Sequence, residues 1–281
     1  MQDPEDLAKG IGIGNGSTGC NRRGRPLDFQ ALVMLANPGE TIGMPFGEFH
    51  GPQKVEVDQF LNVKYRPPNT EEELKGLAKV LEERGLPKAM VANQSIRVQV
   101  RNSTDPSEPN VTLAVSLCRI WARWELKPKG NGTFGNLTVT WETEMPNLPT
   151  VDVSGGPWTF EGCGIRSVRG TAMLVYGCGN VSVHMSAIGG LAGMEKASYG
   201  ITATDASLNV LDNCIFEHTQ IFGARFQRAA NKWVTDCQFV GCELQDLRGQ
   251  EVASPAVQSP EGSKPTYIDG EEVEGPELPP W

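Results

Sequence analysis

The sequence contains no long apolar run. A membrane-spanning helix needs about 18 or more mainly apolar residues in succession, and no stretch of this chain reaches that length, so no membrane span is expected. A broad field of lysine and arginine is also missing, which argues against nucleic-acid binding. Polar residues follow Met1 directly, so the start of the chain shows no apolar signal-peptide core.

The sequence also lacks the closely spaced cysteines and histidines that a structural metal site needs. None of the seven cysteines lies in a C-x-x-C pair, and the three histidines, His50, His184 and His218, are far apart in the chain. Structural zinc sites need such closely spaced ligands. We therefore expect neither a metal nor a cofactor, and most of the thiols should be free and buried, as in a reducing compartment.

The net charge of −9 is unevenly distributed. Residues 250–281 hold seven acidic residues against one lysine, Lys264, and so carry −6 of that charge. The same stretch is rich in proline and shows no hydrophobic periodicity. This composition predicts a tail, 246–281, that is disordered or laid over the surface.

Glycosylation sequons point to a different compartment from the one that the cysteines indicate. Asn-x-Ser/Thr begins at Asn15, Asn93, Asn102, Asn110, Asn131, Asn136 and Asn180. In a secreted protein these asparagines would be glycan acceptors, so their excess favours an extracellular location over an intracellular one. Some of the excess has a simpler source, because an asparagine at a turn before a strand creates the same motif, and the location stays open.

A repeat organises the stretch from Pro157 to Cys242. Each copy is a six-residue segment with an apolar first residue and Ile or Phe last. The copies are Phe160 to Ile165, Val183 to Ile188, Val210 to Ile215 and Val234 to Phe239. Their first residues lie 23, 27 and 24 positions apart. A period in the twenties indicates stacked supersecondary units, and short Val-, Ile- and Phe-containing strands with Gly and Asn at the bends indicate the coils of a parallel β-helix.

The alignment of these copies predicts which residues stack. Equivalent residues of neighbouring coils should lie about 4.8 Å apart. The fourth position, with one related segment further upstream, gives a predicted column of Cys118, Cys163, Ser186, Asn213 and Cys237. Disulfides within it are not expected, because stacked parallel positions rarely meet disulfide geometry. The third position places Asp212 and Asp236 together at a bend, either as a catalytic pair or, as we favour, as ordinary turn residues.

Two helices are predicted near the start of the fold. Asp28 precedes an apolar segment that should form a short helix over about 28–36 and cover the open end of the solenoid. Thr70 to Glu73 read as a capping box, followed by leucines at helical spacing, within a helical insertion of about 66–90.

The entry segment resembles a known family. A-N-P-G-E-T-I (Ala36 to Ile42) followed by P-F-G-E-F-H-G-P (Pro45 to Pro52) is similar to the start of right-handed parallel β-helix proteins of the pectin-lyase-like superfamily. The resemblance covers about 28–60 and 110–242. It implies an all-β fold, a right-handed parallel β-helix, with polysaccharide bound along an outer strand face. The signature motifs of its hydrolases, pectate lyases and alginate epimerases are absent from the sequence.

The predicted organisation has three parts. An irregular lead-in occupies 1–25, the β-helix occupies 26–245 with the insertion described above, and the acidic tail follows. On the third strand of each coil, alternation points one set of residues outward. The candidate ligand-binding residues in this set are Tyr176, Thr202, Thr204, Arg225 and Gln227.

Two classes of function fit this prediction. The favoured one is a non-catalytic interaction module that binds carbohydrate, or else a protein partner, along the outer strand face. The alternative is a polysaccharide-active enzyme (lyase, glycoside hydrolase or epimerase). An outward cluster of acids, or of acid with Arg, Lys or His, would favour the alternative, and Asp58, Glu142 or Glu144 could contribute to it. His184, Glu217 and His218 are expected to be polar surface positions.

Overall fold

The structure is a computed structural model. It describes residues 28–66, 68, 70–83, 118–191, 193–205, 208–227, 231–235, 237–240, 247–248, 266–268 and 271–273. The predicted lead-in at 1–25, the last seven residues of the helical insertion (84–90) and most of the acidic tail lie outside these residues. In the part of the chain that the structure describes, no helix is long and apolar enough to cross a membrane.

Parallel strands from successive coils form a first sheet of seven strands. In spatial order these are β1 (Thr41–Met44), β3 (Phe60–Tyr65), β5 (Asn131–Gly135), β8 (Trp158–Glu161), β11 (Asn180–His184), β14 (Leu208–Asp212) and β17 (Asn231–Thr235). Every neighbouring pair in this sheet is parallel. Parallel pairing between strands that are one coil apart is the defining feature of the predicted β-helix.

The second sheet contains two rows of parallel strands. The first row follows the turn after the first sheet and comprises β6 (Thr138–Glu142), β9 (Gly164–Val168), β12 (Ala187–Gly189), β15 (Ile215–Glu217) and β18 (Gln238–Val240). The second row comprises β2 (Gly47–Val57), β4 (Cys118–Leu126), β7 (Pro149–Val153), β10 (Thr171–Val175), β13 (Ala197–Thr204), β16 (Thr219–Gln227) and β19 (Leu247–Arg248). The long strand β4 joins the rows, because its first half pairs with β6 and its second half with β7.

A short hairpin lies within the acidic tail. Strands β20 (Thr266–Ile268) and β21 (Glu271–Val273) pair in antiparallel fashion. Strand β19 extends the second sheet beyond β16, so regular pairing continues slightly past the predicted boundary at 245.

The strand register corrects the predicted alignment of the third coil. Val183 lies opposite Phe160 and opposite Leu211, and Leu211 lies opposite Val234. The predicted equivalence of Val183 with Val210 is therefore wrong by one residue. Val210 is half-buried on the outer side while Leu211 is fully buried. The coil is longer than predicted because the connection between β12 and β13, 190–196, adds residues to it.

This shift changes the predicted column. The registers of the adjoining strands place Cys163, Ser186, Cys214 and Cys237 in line, and on the earlier coils the same line continues through Leu137 to Cys118. Cys214, not Asn213, is the member from the third coil, and a stack of small buried side chains results. The five cysteines in the described residues are all free.

Asn213 instead occupies the turn position. The residues at this position have positive φ angles of 53° at Asn136, 59° at Gly162, 46° at Met185 and 54° at Asn213. Gly and Asn tolerate this left-handed conformation best. Asp212 lies opposite Thr235, so the predicted alignment of Asp212 with Asp236 is wrong, and Asp236 itself lies outside the described residues.

Aromatic side chains fill the interior of the early coils. Phe134 stacks on Phe160 with ring centroids 4.9 Å apart, and it meets Trp124 edge-on at 5.2 Å. Trp124 in turn contacts Phe29, with centroids 6.1 Å apart. Phe29 belongs to the helix α1 (Phe29–Leu35), whose first turn is capped by the Asp28 carboxylate accepting from the Ala31 amide at 3.0 Å. The predicted capping helix is thus present and closes the core.

The predicted helical insertion begins as expected. Helix α2 (Glu71–Glu83) follows Thr70, whose hydroxyl accepts a hydrogen bond from the Glu73 amide at 3.2 Å. Leu77 and Leu81 are buried, whereas Leu74 is 40% exposed. The apolar stripe of this helix therefore starts one turn later than the leucine spacing suggests.

A buried ion pair lies on the outer side of the second sheet. Arg166 on β9 donates a hydrogen bond to the carboxylate of Glu217 on β15, across the intervening strand β12. The strand between them carries Gly189, with φ 134°, where an added Cβ would lie 2.0 Å from the Glu217 carbonyl oxygen. Arg166 also donates to the Gly190 carbonyl at 2.9 Å. The prediction of Glu217 as a surface residue is wrong, because Glu217 is only 4% exposed and its side chain pairs with the equally buried Arg166.

We expect the Glu217→Gln variant to lose about 3–5 kcal/mol of unfolding free energy, because it leaves the Arg166 charge buried without its counter-ion. Urea unfolding would measure the loss. Glu195→Gln is the matched control, since Glu195 forms an exposed pair with Arg169 and should change stability little. Equal losses in the two variants would contradict a special role of the buried pair.

The column cysteines should be unreactive in the folded protein. Burial raises the pKa of the Cys163 thiol to about 12 and also raises those of Cys118 and Cys237, and only the thiolate is an efficient nucleophile. Cys178 is exposed. At mildly alkaline pH, iodoacetamide should label Cys178 well before these three, with sites assigned by peptide mass mapping. Labelling of Cys163 as fast as Cys178 would refute the buried column.

Candidate functional site

The predicted ligand-binding residues lie on β13 and β16 and, for Tyr176, directly after β10, with the inward and outward sides that alternation predicts. Met173, Val175, Ile201, Ala203, Ala224 and Phe226 are buried in the interior. On the outer side Tyr176 is 39% exposed, and Thr202, Thr204 and Arg225 are half-buried. Thr202 lies opposite Arg225 and Thr204 opposite Gln227, while the Gln227 side chain lies outside the part that the structure describes.

Arg225 meets aromatic rings that were not among the predicted residues. Its guanidinium carbon lies 5.9 Å from the ring centroid of Tyr199 and 5.7 Å from that of Phe222. The two rings are themselves 5.9 Å apart. Aligning Y-G-I-T with F-G-A-R would have shown both aromatics at one repeat position. This end of the face thus offers a cation beside two aromatic side chains.

A group of charged side chains occupies the same row of strands, several coils earlier. We call it the charged cluster, and it consists of Lys54, Glu56, Arg123, Glu125, Lys127 and Asp152. The strand register explains its assembly, because Lys54 lies opposite Arg123, and Glu125 lies opposite both Glu56 and Asp152. All of these side chains point outward from β2, β4 and β7 or follow directly after them.

Arg123 joins two carboxylates of the charged cluster. Its Nη1 donates to Glu125 Oε1 at 2.7 Å and its Nη2 donates to Asp152 Oδ2 at 3.0 Å. Its Nε donates to the Pro149 carbonyl at 3.1 Å. The side chains of Arg123, Glu125 and Asp152 are only 15%, 12% and 15% exposed. The guanidinium therefore holds both acids in a fixed position on the strand face.

Two lysines complete the charged cluster. Lys127 Nζ donates to Glu125 Oε2 at 2.5 Å, and Lys54 Nζ lies 3.5 Å from the same oxygen. Lys54 also pairs with Glu56 at 2.6 Å. Three positive and three negative side chains are therefore joined in one network, with Glu125 at its centre.

The two central carboxylates differ in their acidity. Burial raises the pKa of Asp152, and the nearby Arg123 guanidinium opposes this shift only in part. Burial also disfavours ionised Glu125, but the hydrogen bond from Lys127 and the charges of Arg123, Lys127 and Lys54 outweigh it, so the pKa of Glu125 is lowered. Neighbouring carboxylates with separated pKa values are one arrangement used for acid–base chemistry.

An aromatic pair lies next to the charged cluster on the same two strands. The rings of His50 and Trp121 are stacked, with centroids 5.7 Å apart and planes at 5°. Arg119 lies over the Trp121 ring at 5.9 Å and forms an ion pair with Glu48 at 3.0 Å. The outer face of β2 and β4 thus presents rings and charges side by side.

Other residues considered from the sequence lie elsewhere. His184 Nδ1 is 3.5 Å from Asp212 Oδ2 on the first sheet, away from the charged cluster. Glu142 and Glu144 lie near Arg169, whose pKa is raised mainly by Glu195 and slightly by these two acids. Among the described residues, no group of three His, Cys, Asp or Glu side chains is placed to hold a metal ion.

The sequence contains one local signal for the charged cluster, an alternation of charged and apolar residues in β4. In R-W-E-L-K (Arg123 to Lys127), charged residues alternate with apolar ones, as they do on a strand with one outward face. The register of this strand could not be read because the inserted helix and the residues after it separate it from β3. The partners of Arg123 therefore stayed unidentified.

The two carboxylates should give stability profiles of opposite slope. Because the pKa of Glu125 is lowered on folding, its contribution is present above the ordinary glutamate pKa and is lost as pH falls through the folded value. The cost of Glu125→Gln should therefore shrink in acid. Because the pKa of Asp152 is raised, the cost of Asp152→Asn should grow over the same acid range. Urea unfolding of both variants from neutral to acid pH measures this, and parallel profiles would contradict it.

Comparisons with known proteins do not assign the chain to a family. No protein-family model, no curated protein and no solved structure gives a significant match to this sequence. Inference about function therefore depends on the chemistry of the strand face itself.

Proposed function

We propose that the outer face formed by β2, β4, β7, β10, β13 and β16 binds a polysaccharide chain without cleaving it. The observation that carries this proposal is the continuity of the face. The six strands are joined by parallel pairing in one row, which sets polar and aromatic groups at a regular spacing of about 4.8 Å per coil. An extended, repeating ligand suits an extended, repeating surface.

The side chains on this face match the chemistry of sugars. Carboxylates accept hydrogen bonds from hydroxyl groups, and guanidinium and ammonium groups donate to ring and hydroxyl oxygens. Aromatic rings pack against the apolar faces of sugar rings. The charged cluster and Tyr176 supply the first kind of contact, and Tyr199 supplies a ring. His50 and Trp121 supply further rings beside this face, on the halves of β2 and β4 that align with β6. The resemblance of the entry segment to pectin-lyase-like proteins supports the same class of ligand.

A polysaccharide-active enzyme is the second candidate. It is favoured by the charged cluster itself, which is an outward group of acids with Arg and Lys of the kind expected for an enzyme. The separated pKa values of Glu125 and Asp152 favour it too, since glycoside hydrolysis uses one protonated and one ionised carboxyl group. Their hydrogen bonds argue for binding instead. Both acids accept from Arg123, and Glu125 also accepts from Lys127. A nucleophile or general base needs a lone pair directed at the substrate. Both oxygens of Glu125 and Oδ2 of Asp152 already hold partners within the protein, and Asp152 Oδ1 is buried.

A glycan array combined with product assays on one purified sample would test the proposal. We expect retention of at least one polysaccharide, with no new reducing ends and no unsaturated products. Arg225→Ala should weaken the binding about fivefold, the effect of losing roughly 1 kcal/mol from a cation beside aromatic rings.

Arg169→Ala is the matched control for this variant. Arg169 lies at the turn between β9 and β10 and pairs with Glu195, so its removal should leave binding unchanged. Turnover that is lost in Asp152→Asn would replace the binding proposal by the enzyme candidate. Absence of binding to every glycan would overturn both.

A further inference from the structure

We infer that the face selects uncharged, hydroxyl-rich sugar chains over polyanionic ones, and that the charged cluster is the selecting element. This inference rests on the proposed polysaccharide binding. It names the class of ligand that the early coils would accept.

The charged cluster has no positive charge in excess. Lys54, Arg123 and Lys127 are each in contact with Glu125, and Lys54 and Arg123 each contact a second carboxylate as well. A uronate or sulfate group approaching any of these cations would compete with a carboxylate that is already in place. It would also come close to the negative charges of Glu56, Glu125 and Asp152, at a Coulombic cost.

Hydroxyl groups meet no such competition. A hydroxyl can donate to a carboxylate oxygen and accept from a lysine or arginine at the same time. The rim of the charged cluster offers both kinds of partner, because Lys54 and Glu56 have side chains that are 45% and 46% exposed. A sugar that carries neighbouring hydroxyls could therefore contact both members of such a pair without breaking the internal network.

Negative charge near the charged cluster adds to the preference for uncharged sugar chains. Asp58, which follows β2 directly, is exposed near the same edge and adds negative charge there. A field of this sign slows the approach of a polyanion and lowers its local concentration. Neutral chains are unaffected by it.

The test uses one polymer backbone in two charge states. Polygalacturonate and its fully methyl-esterified form would be compared at low ionic strength by isothermal titration calorimetry, beside the neutral oligosaccharide cellohexaose. We expect at least one of the two neutral ligands to bind about fivefold or more tighter than polygalacturonate, as a single uncompensated charge contact of roughly 1 kcal/mol implies. Added salt should leave the affinity for the neutral ligand unchanged.

A charge-reversal variant identifies the selecting element. Glu56→Lys changes an exposed side chain and gives the charged cluster a positive excess, so it should raise the affinity for polygalacturonate and reduce the preference for the neutral ligand. Glu195→Lys makes the same change at the exposed pair with Arg169 and should leave the preference as it is in the natural sequence. Equal effects of the two variants would assign the selectivity to net charge and overturn the role of the charged cluster.

The remaining outcomes separate this inference from the proposed function. Tighter binding of polygalacturonate than of both neutral ligands would overturn the selectivity and leave polysaccharide binding in place. Failure of all three ligands, together with an empty glycan array, would overturn both.

Discussion

Hydrogen bonding between parallel strands of successive coils is the constraint on which the rest of this structure depends. Each coil must align its backbone with the coil before it. Equivalent side chains of successive coils therefore form columns, and neighbours within a column lie about 4.8 Å apart. Inside, the columns are aromatic rings and small thiols, as in the stack of Phe134 on Phe160. Outside, the same registration brings Glu56, Glu125 and Asp152 together. The core and the candidate site are therefore two sides of one backbone arrangement.

In the early coils, a buried aromatic ring lies directly beneath the charged cluster. Trp124 lies in β4 between Arg123 and Glu125, and its ring is buried against Phe29 and Phe134. The strand that presents the charged cluster is thus anchored from below by close-packed rings. Outward side chains on such a strand are held by its packing and by each other, which is how a binding surface stays pre-organised without a ligand.

Variation between coils is absorbed by the connections and by register shifts inside two strand pairs, β13 with β16 and β2 with β4. The connection after β12 lengthens one coil, yet the strands on either side keep their parallel pairing. The first of the added residues, Gly190, accepts a hydrogen bond from Arg166 at 2.9 Å, beside the pair that Arg166 forms with Glu217 across β12. The candidate ligand face lies on the other row of strands, which stays parallel across the register shifts at Ala197 to Tyr199 and at His50 to Lys54.

The sequence by itself determined the coil, the capping helix and the inward and outward sides of β10, β13 and β16. These follow from local patterns, namely alternation, turn residues and a helix cap, which act over a few residues. Only the tertiary structure decided that Cys214, not Asn213, joins the column, because a one-residue difference in loop length leaves a similar apolar pattern in either register. It also decided the charged cluster. Lys54, Arg123 and Asp152 are separated by 69 and 29 positions, and only the stacking of coils, which local patterns do not encode, joins them in one network around Glu125.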